Sequence, residues 1–485
     1  MLATFCIAVI SLIPIPEIKP IEDIPLMDKW AHFIMYGGLA CAVWFDILRG
    51  RLHPGAILTI ALTIIFPIAF GGLMELGQAH LTTCRNGDWL DFIANTIGVI
   101  IATPIGLTMK RFFFIAACLL GTATVSAQTD SLPPLKDAFA GKFLIGAAVN
   151  VHQVRNGSAR LHSLISSEFS SVVAENCMKS GSLQPREGVF RFDDADRLAD
   201  FAQRNGQALI GHCLVWHSQA PRWFFTDNEG NEVSREVLIE RMRTHIHTVV
   251  SHFKGRVKGW DVVNEAIEWN GELRQSKFLK IIGPDFISLA FKFAHEADPE
   301  AELYYNDYGM DGKMKRDAVV RLVRQLKSEG ICIDAVGMQS HVSFSTPLDE
   351  YERSIEAFAA EGVKVMITEL DLSVLPWPRN NMGAEVEANF EYQEKMNPFR
   401  NGLSKEMEQK QTDFYSRLFD IYLRHSDDIT RVTFWGVSDG DSWKNNWPVR
   451  GRTDYPLAFD RQLRAKPFVG KIIKMANKAK QGDEL

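Results

Sequence analysis

Eight short β-rich runs, each followed by a helix-like pattern, dominate the chain after residue 137. The runs cover 143–149, 169–174, 208–213, 257–263, 301–305, 333–338, 363–368 and 430–435. Helical periodicity follows in segments such as DDADRLADFAQR and KRDAVVRLVRQLKSEG. This alternation predicts an α/β fold, a (β/α)8 barrel with some long loops. A doubly wound sheet is the alternative, but no glycine-rich phosphate turn follows the first run.

Polar or aromatic side chains stand at the carboxyl ends of these runs, where barrels of this kind carry their catalytic groups. They are Asn150, Glu175, Asn176, His212 to His217, Asn264, Glu265, Asn306, Asp307, Gln339 to His341, Glu369 to Asp371, and Trp435. One such residue alone is more often a cap or a loop residue. Their occurrence at successive strand ends predicts a single site at the mouth of the barrel.

Two glutamates at these ends suggest the chemistry. Glu265 lies in WDVVNEAI and Glu369 in VMITELDL, so each follows an apolar run and leaves the core at the mouth. Cleavage of a glycosidic bond needs one protonated and one ionised carboxyl group. We expect Asp371 and His341 to hold Glu369 ionised, and Glu265 to keep its proton beside Asn264 and apolar walls.

Tryptophans near the same ends offer flat surfaces for the apolar faces of sugars. Trp216 and Trp223 follow the third run, and Trp435 and Trp443 follow the eighth. A tryptophan in a barrel is more often part of the core, but this clustering favours a sugar-binding cleft.

Composition restricts the class of ligand. The 485 residues carry a net charge of -6, which gives no basic field for a polyanion, so nucleic acid is not an expected partner. The seven cysteines are scattered without a CxxC or zinc spacing. We therefore expect neither a disulfide framework nor a metal site, and no cofactor.

The segments GHCLVWHSQAPRW, WDVVNEAI, YYNDYG, VGMQSHV, ITELDL and FWGVSDGDSW occur in this order between about residues 138 and 478. They resemble the signature segments of glycoside hydrolase family 10, the endo-1,4-β-xylanases. The resemblance implies a (β/α)8 barrel that hydrolyses internal bonds of xylan by retaining double displacement. Glu265 would be its acid/base and Glu369 its nucleophile.

The resemblance also implies roles for the neighbouring side chains. Around the cleaved bond it places Asn264, Gln339, His212 and His217, with His341 orienting Glu369 and Asp371 behind it. On the non-reducing side it places Glu175, Asn176 and Lys179 at the next sugar, and Trp435 and Trp443 as walls of the cleft.

Two features depart from the family pattern. Cys177 and Ser180 stand where the family usually has Glu and Trp, so packing beside the glycone side is expected to differ. The stretch from Leu375 to about Ser404 is longer than expected, on the leaving-group side. Both leave the preferred chain length open.

Two other readings of the barrel compete with a xylanase. A related barrel glycosidase acting on β-1,4-glucan or β-mannan would share the architecture. A non-catalytic polysaccharide-binding barrel would keep the tryptophans and lose a carboxylate, whereas Glu265 and Glu369 are both present. A third reading makes the membrane part the functional end and the barrel its cargo.

The first 108 residues differ in composition from the rest and read as an all-α membrane segment. Apolar stretches of near-spanning length predict about four transmembrane helices: Met1 to Ile15, Ala31 to Leu48, Ala56 to Leu73 and Trp89 to Leu107. Buried helices of a soluble protein are the alternative. The basic residues Arg49, Arg51, Lys110 and Arg111 set the orientation, because they are expected on the cytoplasmic side.

Two segments within this region, DKWAHFIMYGGLA and MELGQAHLTTCRNGDWLDFIANTIG, resemble the VanZ-like family of small membrane proteins. The resemblance rests on His32, Glu75, Gln78, Arg85, Asp88, Asp91 and Asn95. Polar groups in spans are costly and therefore suggest function, although interhelical hydrogen bonds are an equally good explanation. The resemblance names no reaction.

A secretory signal lies inside the chain at 109–127, in MKRFFFIAACLLGTATVSAQ. Basic residues precede an apolar run, and small residues precede Gln128 at the cleavage spacing. We expect cleavage after Ala127, with a fifth transmembrane anchor as the alternative; Met109 is also a plausible start of a separate secreted protein. Residues 128–137 read as a linker and 138–480 as an exported, monomeric barrel that is secreted, periplasmic or at the cell surface.

Overall fold

The computed structural model describes residues 27–48, 56–81, 88–103, 132–376, 396–445 and 451–482. The chain divides into two compact units, Met1–Asp130 and Ser131–Leu485. The second unit contains all the residues predicted for the barrel site.

The second unit is built on nine parallel strands. They are β1 Leu144–Val149, β2 Ser171–Ala174, β3 Ala208–Trp216, β4 Gly259–Asn264, β5 Glu302–Asp307, β6 Ala335–Met338, β7 His341–Val342, β8 Lys364–Leu372 and β9 Ile429–Phe434. Strands β1 to β6 pair in sequence order, β6 pairs with β8, β8 with β9, and β9 with β1. The sheet therefore closes into an eight-stranded barrel, with the short β7 beside the end of β8. This confirms the predicted barrel, and the doubly wound alternative is wrong.

Helices follow most strands and cover the outside of the barrel. They are Leu135–Ala138, Val151–Asn156, Ala159–Glu168, Ser180–Leu183, Asp193–Arg204, Arg235–His252, Lys277–Ile282, Phe286–Ala297, Lys313–Ser328, Leu348–Ala360, Lys405–Arg424 and Pro467–Gly482, with a 3-10 turn at Arg222–Phe224. Serines begin several of them: the side chains of Ser158, Ser234, Ser276 and Ser404 each accept a bond from a first-turn backbone N–H. Such caps satisfy donors that the helix itself leaves unpaired.

The barrel interior is filled by side chains and is not a pore. Ala148, Val173, Ile210, Tyr304, Ala335 and Met366 pack together inside it. Trp435 closes this layer at the mouth. A packed interior fixes the strand ends relative to one another, which is what a site assembled from several strands requires.

Three strands extend farther toward the mouth than the sequence predicts. Strand β3 continues to Trp216, β5 to Asp307 and β8 to Leu372. Asn306, Glu369 and Asp371 therefore lie within the carboxyl-terminal parts of β5 and β8. The sequence prediction places them just after the ends of these strands.

The predicted linker is also shorter than 128–137. Leu135 begins a short helix and is fully buried, and its backbone N–H donates to the Glu168 carboxylate at 2.9 Å. The ordered barrel unit thus begins before residue 138.

In the first unit the described residues form helices at Met27–Leu48, Ala56–Leu81 and Trp89–Thr103, the second interrupted by a π-helical turn at Ala61–Ile65. Among described residues, one stretch, Leu58–Gln78, is long and apolar enough to cross a membrane, with a mean hydropathy of 1.9. The predicted span at Met1 to Ile15 and the signal-like run lie outside the described residues. The prediction of four spans therefore stays a prediction.

Candidate active site

Glu265 occupies the end of β4 in an uncommon backbone conformation. Its φ of 59° lies in the left-handed region, which residues with a Cβ rarely adopt outside functional sites and turns. The backbone is fixed on both sides: the N–H of Glu265 donates to the Asn306 carbonyl at 2.9 Å, and its carbonyl accepts from Arg274 Nε at 2.8 Å. This conformation directs the side chain into the mouth.

The Glu265 carboxylate accepts hydrogen bonds from side chains of three strands or their ends. Trp216 Nε1 donates to Oε2 at 2.9 Å, Gln339 Nε2 donates to Oε1 at 3.0 Å, and Asn264 Nδ2 reaches Oε1 at 3.4 Å. His217 Nδ1 lies 4.0 Å from Oε2. These contacts hold the carboxyl group in one orientation.

Glu369 lies on β8 and is almost completely buried. Asn306 Nδ2 donates to Oε1 at 2.9 Å, and His341 Nε2 is 3.2 Å from Oε2. The Asn306 amide is itself oriented by Thr368, whose hydroxyl donates to Asn306 Oδ1 at 2.6 Å. Both carboxylate oxygens are thus positioned.

An amide network connects the two glutamates. The side-chain oxygen Oδ1 of Asn264 accepts from Asn306 Nδ2 at 3.0 Å and from Gln339 Nε2 at 3.2 Å. Asn306 also contacts Glu369, and Gln339 also contacts Glu265. The amides of Asn306 and Gln339 therefore fix the two carboxylates relative to each other through their common acceptor, Asn264 Oδ1. Both glutamates line the same cleft.

His341 carries a positive charge between two carboxylates. Its Nδ1 is 3.0 Å from Asp371 Oδ2 and its Nε2 is 3.2 Å from Glu369. Burial alone lowers the pKa of His341, but the charge of Asp371 and hydrogen bonds to both carboxylates outweigh it and raise the pKa to about 9. Asp371 is fully buried, which raises its pKa, yet His341 and Lys444 lower it overall. Lys444 Nζ lies 3.2 Å from Asp371 Oδ1.

We expect the His341–Asp371 pair to stabilise the fold over a defined pH range. Because the pKa of His341 is raised to about 9 from an unfolded value of about 6.5, its contribution is complete below about pH 6.5 and is lost as pH rises through about 9. The difference in Tm between the wild type and His341→Gln is therefore expected to shrink across that window in thermal denaturation. A difference that stays constant from pH 6 to 10 contradicts this assignment of charge.

On one side of the glutamates lies a group of polar residues from the loop after β2. Lys179 Nζ donates to Asn176 Oδ1 at 2.9 Å, and Asn176 Nδ2 reaches Glu175 Oε1 at 3.3 Å. Lys179 Nζ also sits 4.9 Å from the centre of the Trp216 ring. Burial raises the pKa of Glu175, partly offset by the Asn150 side chain and Lys179. The group offers donors and acceptors for sugar hydroxyls.

His212 and Trp435 form the floor of the cleft. His212 Nδ1 lies 2.8 Å from Asp261 Oδ2 in a buried pair, and its ring meets Trp435 edge-on with centroids 5.3 Å apart. If Asp261 accepts from Nδ1, Nε2 of His212 is the nitrogen left to face a ligand. Trp443 donates its Nε1 to Asp371 at 2.8 Å and packs against His341.

Most of the residues predicted for the site line one cleft of about 1380 Å³. They are Glu175, Asn176, Lys179, His212, Trp216, Asn264, Glu265, Gln339, His341, Glu369, Trp435 and Trp443. His217 stands beside Glu265, and Asp371 stands behind His341, as expected for a residue that orients another.

Trp223 was expected to offer a sugar-binding face, and that prediction is wrong. Its ring stacks on Phe224 with centroids 4.2 Å apart, and its Nε1 donates to the Gln184 carbonyl at 2.9 Å. Trp223 packs against the hydrophobic core, which is the commoner place for a tryptophan in a barrel.

The sequence prediction assigned no specific role to three residues that hold the site together. Asn306 bonds directly to Glu369, Arg274 to the Glu265 backbone, and Lys444 pairs with Asp371. Asn306 was noted only as one strand-end residue among many. Its role depends on contacts across 42 and 63 positions of sequence, which no local pattern reveals.

The first departure from the family pattern, Cys177 and Ser180, lies in the segment that follows β2. Cys177 is buried, and burial raises the pKa of its thiol to about 12, so it is a neutral packing group. Ser180 is also buried, at the start of Ser180–Leu183. The stretch from Leu375 to Ser404 falls largely outside the described residues.

Among the described residues, two groups of His and carboxylate side chains are close enough together to hold a metal ion. They are His32, Glu75 and Asp91 in the first unit, and Glu352, Glu356 and His425 in the second. In the second group, Glu352 also pairs with Arg424. Neither group belongs to the cleft, and a cofactor-free hydrolase stays our expectation.

Known proteins share this architecture and sequence. The model of the family Glycosyl hydrolase family 10 matches residues 134–475. Endo-1,4-beta-xylanase A of Xylanibacter ruminicola is 53% identical over 352 residues, which cover 72% of this chain and 95% of that protein. An endo-1,4-beta-xylanase of Geobacillus stearothermophilus is 41% identical over 347 residues, covering 71% of this chain and 99% of that protein.

Solved structures give the same result. A family 10 endoxylanase from a sugarcane soil metagenome superposes with a TM-score of 0.67 at 39% identity, covering 71% of this chain and 99% of that one. A mutant of the Thermoanaerobacterium saccharolyticum xylanase TsXylA, solved with xylotriose, gives a TM-score of 0.61 at 39% identity over the same shares. The chain, through residues 134–475, belongs to glycoside hydrolase family 10.

Proposed function

We propose that this protein is an endo-1,4-β-xylanase that hydrolyses internal bonds of xylan with retention of configuration. The observation that carries the proposal is the pair Glu265, directly after β4, and Glu369, on β8, which shared amide bridges hold in one open cleft. Its relatives at 53% and 41% identity are named as endo-1,4-β-xylanases. An open cleft also suits a substrate that extends past the cleaved bond on both sides.

In the first step Glu369 attacks the anomeric carbon and Glu265 gives its proton to the departing oxygen. The bond between sugar and leaving chain breaks as a glycosyl-enzyme ester forms on Glu369. The cationic His341 and the Asn306 amide hold the Glu369 carboxylate in place for this attack. Asp371 and Lys444 in turn fix the charge and orientation of His341.

In the second step Glu265 acts as base. It takes a proton from water, which attacks the anomeric carbon and releases the sugar from Glu369. The Trp216 and Gln339 bonds keep the Glu265 carboxyl over the same position in both steps. Glu175, Asn176 and Lys179 bind the next sugar on the non-reducing side, with Trp435 and Trp443 as walls.

Substrate comparison tests the function. The full chain is expected to lower the viscosity of xylan faster than reducing ends accumulate, as internal cleavage requires, and to be much slower on carboxymethylcellulose and mannan. Higher activity on either of those two would replace the proposal with a glucanase or mannanase. Failure to cleave any of the three, with xylan still bound, would make the barrel a polysaccharide-binding domain.

The stereochemistry of the first product checks the double displacement. We expect proton NMR of early hydrolysis products to show the β-anomer before mutarotation, because two inversions restore the starting configuration. Initial appearance of the α-anomer would contradict the assignment of Glu369 as nucleophile.

We further propose that residues 1–108 form a VanZ-like membrane segment. Large apolar side chains, including Trp30, Leu58, Leu73 and Trp89, point outward from the described helices. Lipid is the environment in which such an exterior is stable. Membrane fractionation tests this: the uncleaved full chain is expected in the carbonate-washed pellet, and its recovery in the soluble fraction would contradict the segment.

Polar side chains support the same proposal from the interior of this unit. His32 Nδ1 lies 3.1 Å from Asn95 Oδ1, and Asn95 Nδ2 reaches Glu75 Oε1 at 3.4 Å, which joins all three described helices. Lys29 Nζ pairs with Asp91 at 2.6 Å. Gln78 is buried as well, and Arg85 lies outside the described residues. Polar contacts of this kind hold helices together where lipid surrounds them.

We propose that the barrel is exported and released by cleavage between Ala127 and Gln128. The basic pair, the short apolar run and the small residues before Gln128 support this. N-terminal sequencing of the secreted form is expected to begin at Gln128. A membrane-bound enzyme that retains 112–125 would make this run a fifth anchor, and an upstream reading frame broken before Met109 would make the barrel a separate secreted protein.

A further inference from the structure

Trp269 is the most exposed tryptophan described in the second unit, although it lies at the mouth of the barrel. Its side chain is 59% exposed and lines the same cleft as Glu265 and Glu369. Clefts that bind small molecules are lined largely by apolar and aromatic side chains, so an open ring in this lining is available to contact a ligand.

The loop that carries Trp269 is a tight hairpin after β4. Ile267 and Leu273 form an antiparallel bridge, and the N–H of Glu268 donates to the Glu272 carbonyl at 2.8 Å. Gly271 turns the chain with a φ of 80°, and a Cβ there would approach the Met314 carbonyl oxygen to 2.7 Å. The hairpin is therefore fixed against the next barrel unit, and the ring is presented in one place.

The ring of Trp269 packs against neighbouring residues on one side. It leans on Tyr308 at 57°, with centroids 5.2 Å apart. A Cβ on Gly309 would lie 2.2 Å from Trp269 Cζ3, so this position requires glycine for the ring to pack. Lys315, fully buried and paired with Asp307 at 2.6 Å, places its ammonium 5.6 Å from the Trp269 ring and 3.8 Å from that of Tyr308. One side of the tryptophan is thus supported while the rest stays open.

The position of the Trp269 ring shows which end of the cleft it occupies. Strands β4 and β5 lie diametrically across the barrel from β9 and β1 in the closed order, and Trp435 and Trp443 follow β9. Contacts run outward from Glu265 to Arg274, from Arg274 to Tyr308 at 2.5 Å, and from Tyr308 to Trp269. Trp269 is therefore on the side of the proton donor, one contact farther from the cleaved bond than Tyr308.

We propose that Trp269 is a stacking platform for the second xylose of the leaving chain, an inference that rests on the xylanase function proposed above. The flat pyranose face of a xylose, which lacks an exocyclic hydroxymethyl group, lies against the open face of the indole. Because this contact is made only by substrates that extend past the first leaving sugar, it sets the preference for long chains and the position at which they are cut.

Hydrolysis rates of two substrates of different length test the platform in the full chain. For Trp269→Ala we expect kcat/KM on xylohexaose to fall about tenfold, as for loss of one stacked ring. On 4-nitrophenyl β-xylobioside, whose leaving group is a single ring, we expect no change beyond about twofold. Trp269→Phe should retain most of the xylohexaose activity, and Gly309→Ala should reproduce the loss by displacing the indole.

Val237→Ala is the matched control, because Val237 is an exposed apolar side chain on the helix Arg235–His252, outside the cleft. It should leave both rates and the product pattern unchanged. An unchanged kcat/KM of Trp269→Ala on xylohexaose overturns the proposal. An equal loss on both substrates also overturns it, since that would indicate a structural defect. Absence of xylan cleavage in the wild type would instead contradict the proposed xylanase function itself.

Discussion

Glu369→Ala is expected to lower hydrolysis about 10⁵-fold on every substrate, however good its leaving group. The side chain supplies the atom that bonds to the anomeric carbon, so its removal abolishes the first step. Steady-state rates on xylan and on 2,4-dinitrophenyl β-xylobioside are expected to fall together. The isosteric Glu369→Gln should behave alike, because an amide keeps the Asn306 and His341 contacts only in part and is a poor nucleophile.

The matched control is Glu356→Ala, which removes an exposed glutamate from the helix Leu348–Ala360. It should leave both rates unchanged. A pre-steady-state burst of dinitrophenol from Glu369→Ala would contradict the nucleophile assignment, since no glycosyl-enzyme can form without that carboxylate.

Glu265→Ala is expected to fail in a substrate-dependent way. Xylan hydrolysis should fall at least about 10³-fold, because a sugar alkoxide leaves poorly without a proton. The first step on the dinitrophenyl xylobioside should survive, since an acidic phenol departs unprotonated. The second step then lacks its base, and the glycosyl-enzyme should accumulate as a burst.

Rescue by azide distinguishes loss of the catalytic base in Glu265→Ala from a general loss of structure. It needs no deprotonation, so it should speed turnover of Glu265→Ala by attacking the intermediate and yield β-xylobiosyl azide. An α-azide, or no rescue at all with the burst absent, would show that the roles of Glu265 and Glu369 are reversed or mistaken.

The barrel and its mouth could be predicted because parallel strands buried on both faces are continuous apolar runs. Where such an apolar run meets a charged residue, the pattern predicts that the strand ends. For this reason the predicted end of β8, at residue 368, is four residues before its observed end at Leu372. In TELDL the pleat continues: Leu370 and Leu372 are fully buried on one face while Glu369 and Asp371 alternate with them. Alternation of period two marks the true end better than the first charge does.

The fine structure of the site could not be predicted because it is made of contacts between distant segments. Asn306, on β5, acts through Asn264 on β4 and through Thr368 and Glu369 on β8. Whether a tryptophan is core or cleft is decided in the same way. Trp223 is followed by Phe224, which gives it a stacking partner in the core, whereas Trp269 sits on a hairpin with open space above its ring.

Covalent trapping tests the central claim most directly. A 2-deoxy-2-fluoro-xylobioside with a dinitrophenyl leaving group slows both steps, because fluorine destabilises the oxocarbenium-like transition state, while the leaving group keeps the first step accessible. Mass spectrometry of peptides from the inactivated full chain is predicted to find one 2-fluoro-xylobiosyl group, on Glu369. A label on any other residue, or inactivation without a covalent label, would contradict the mechanism.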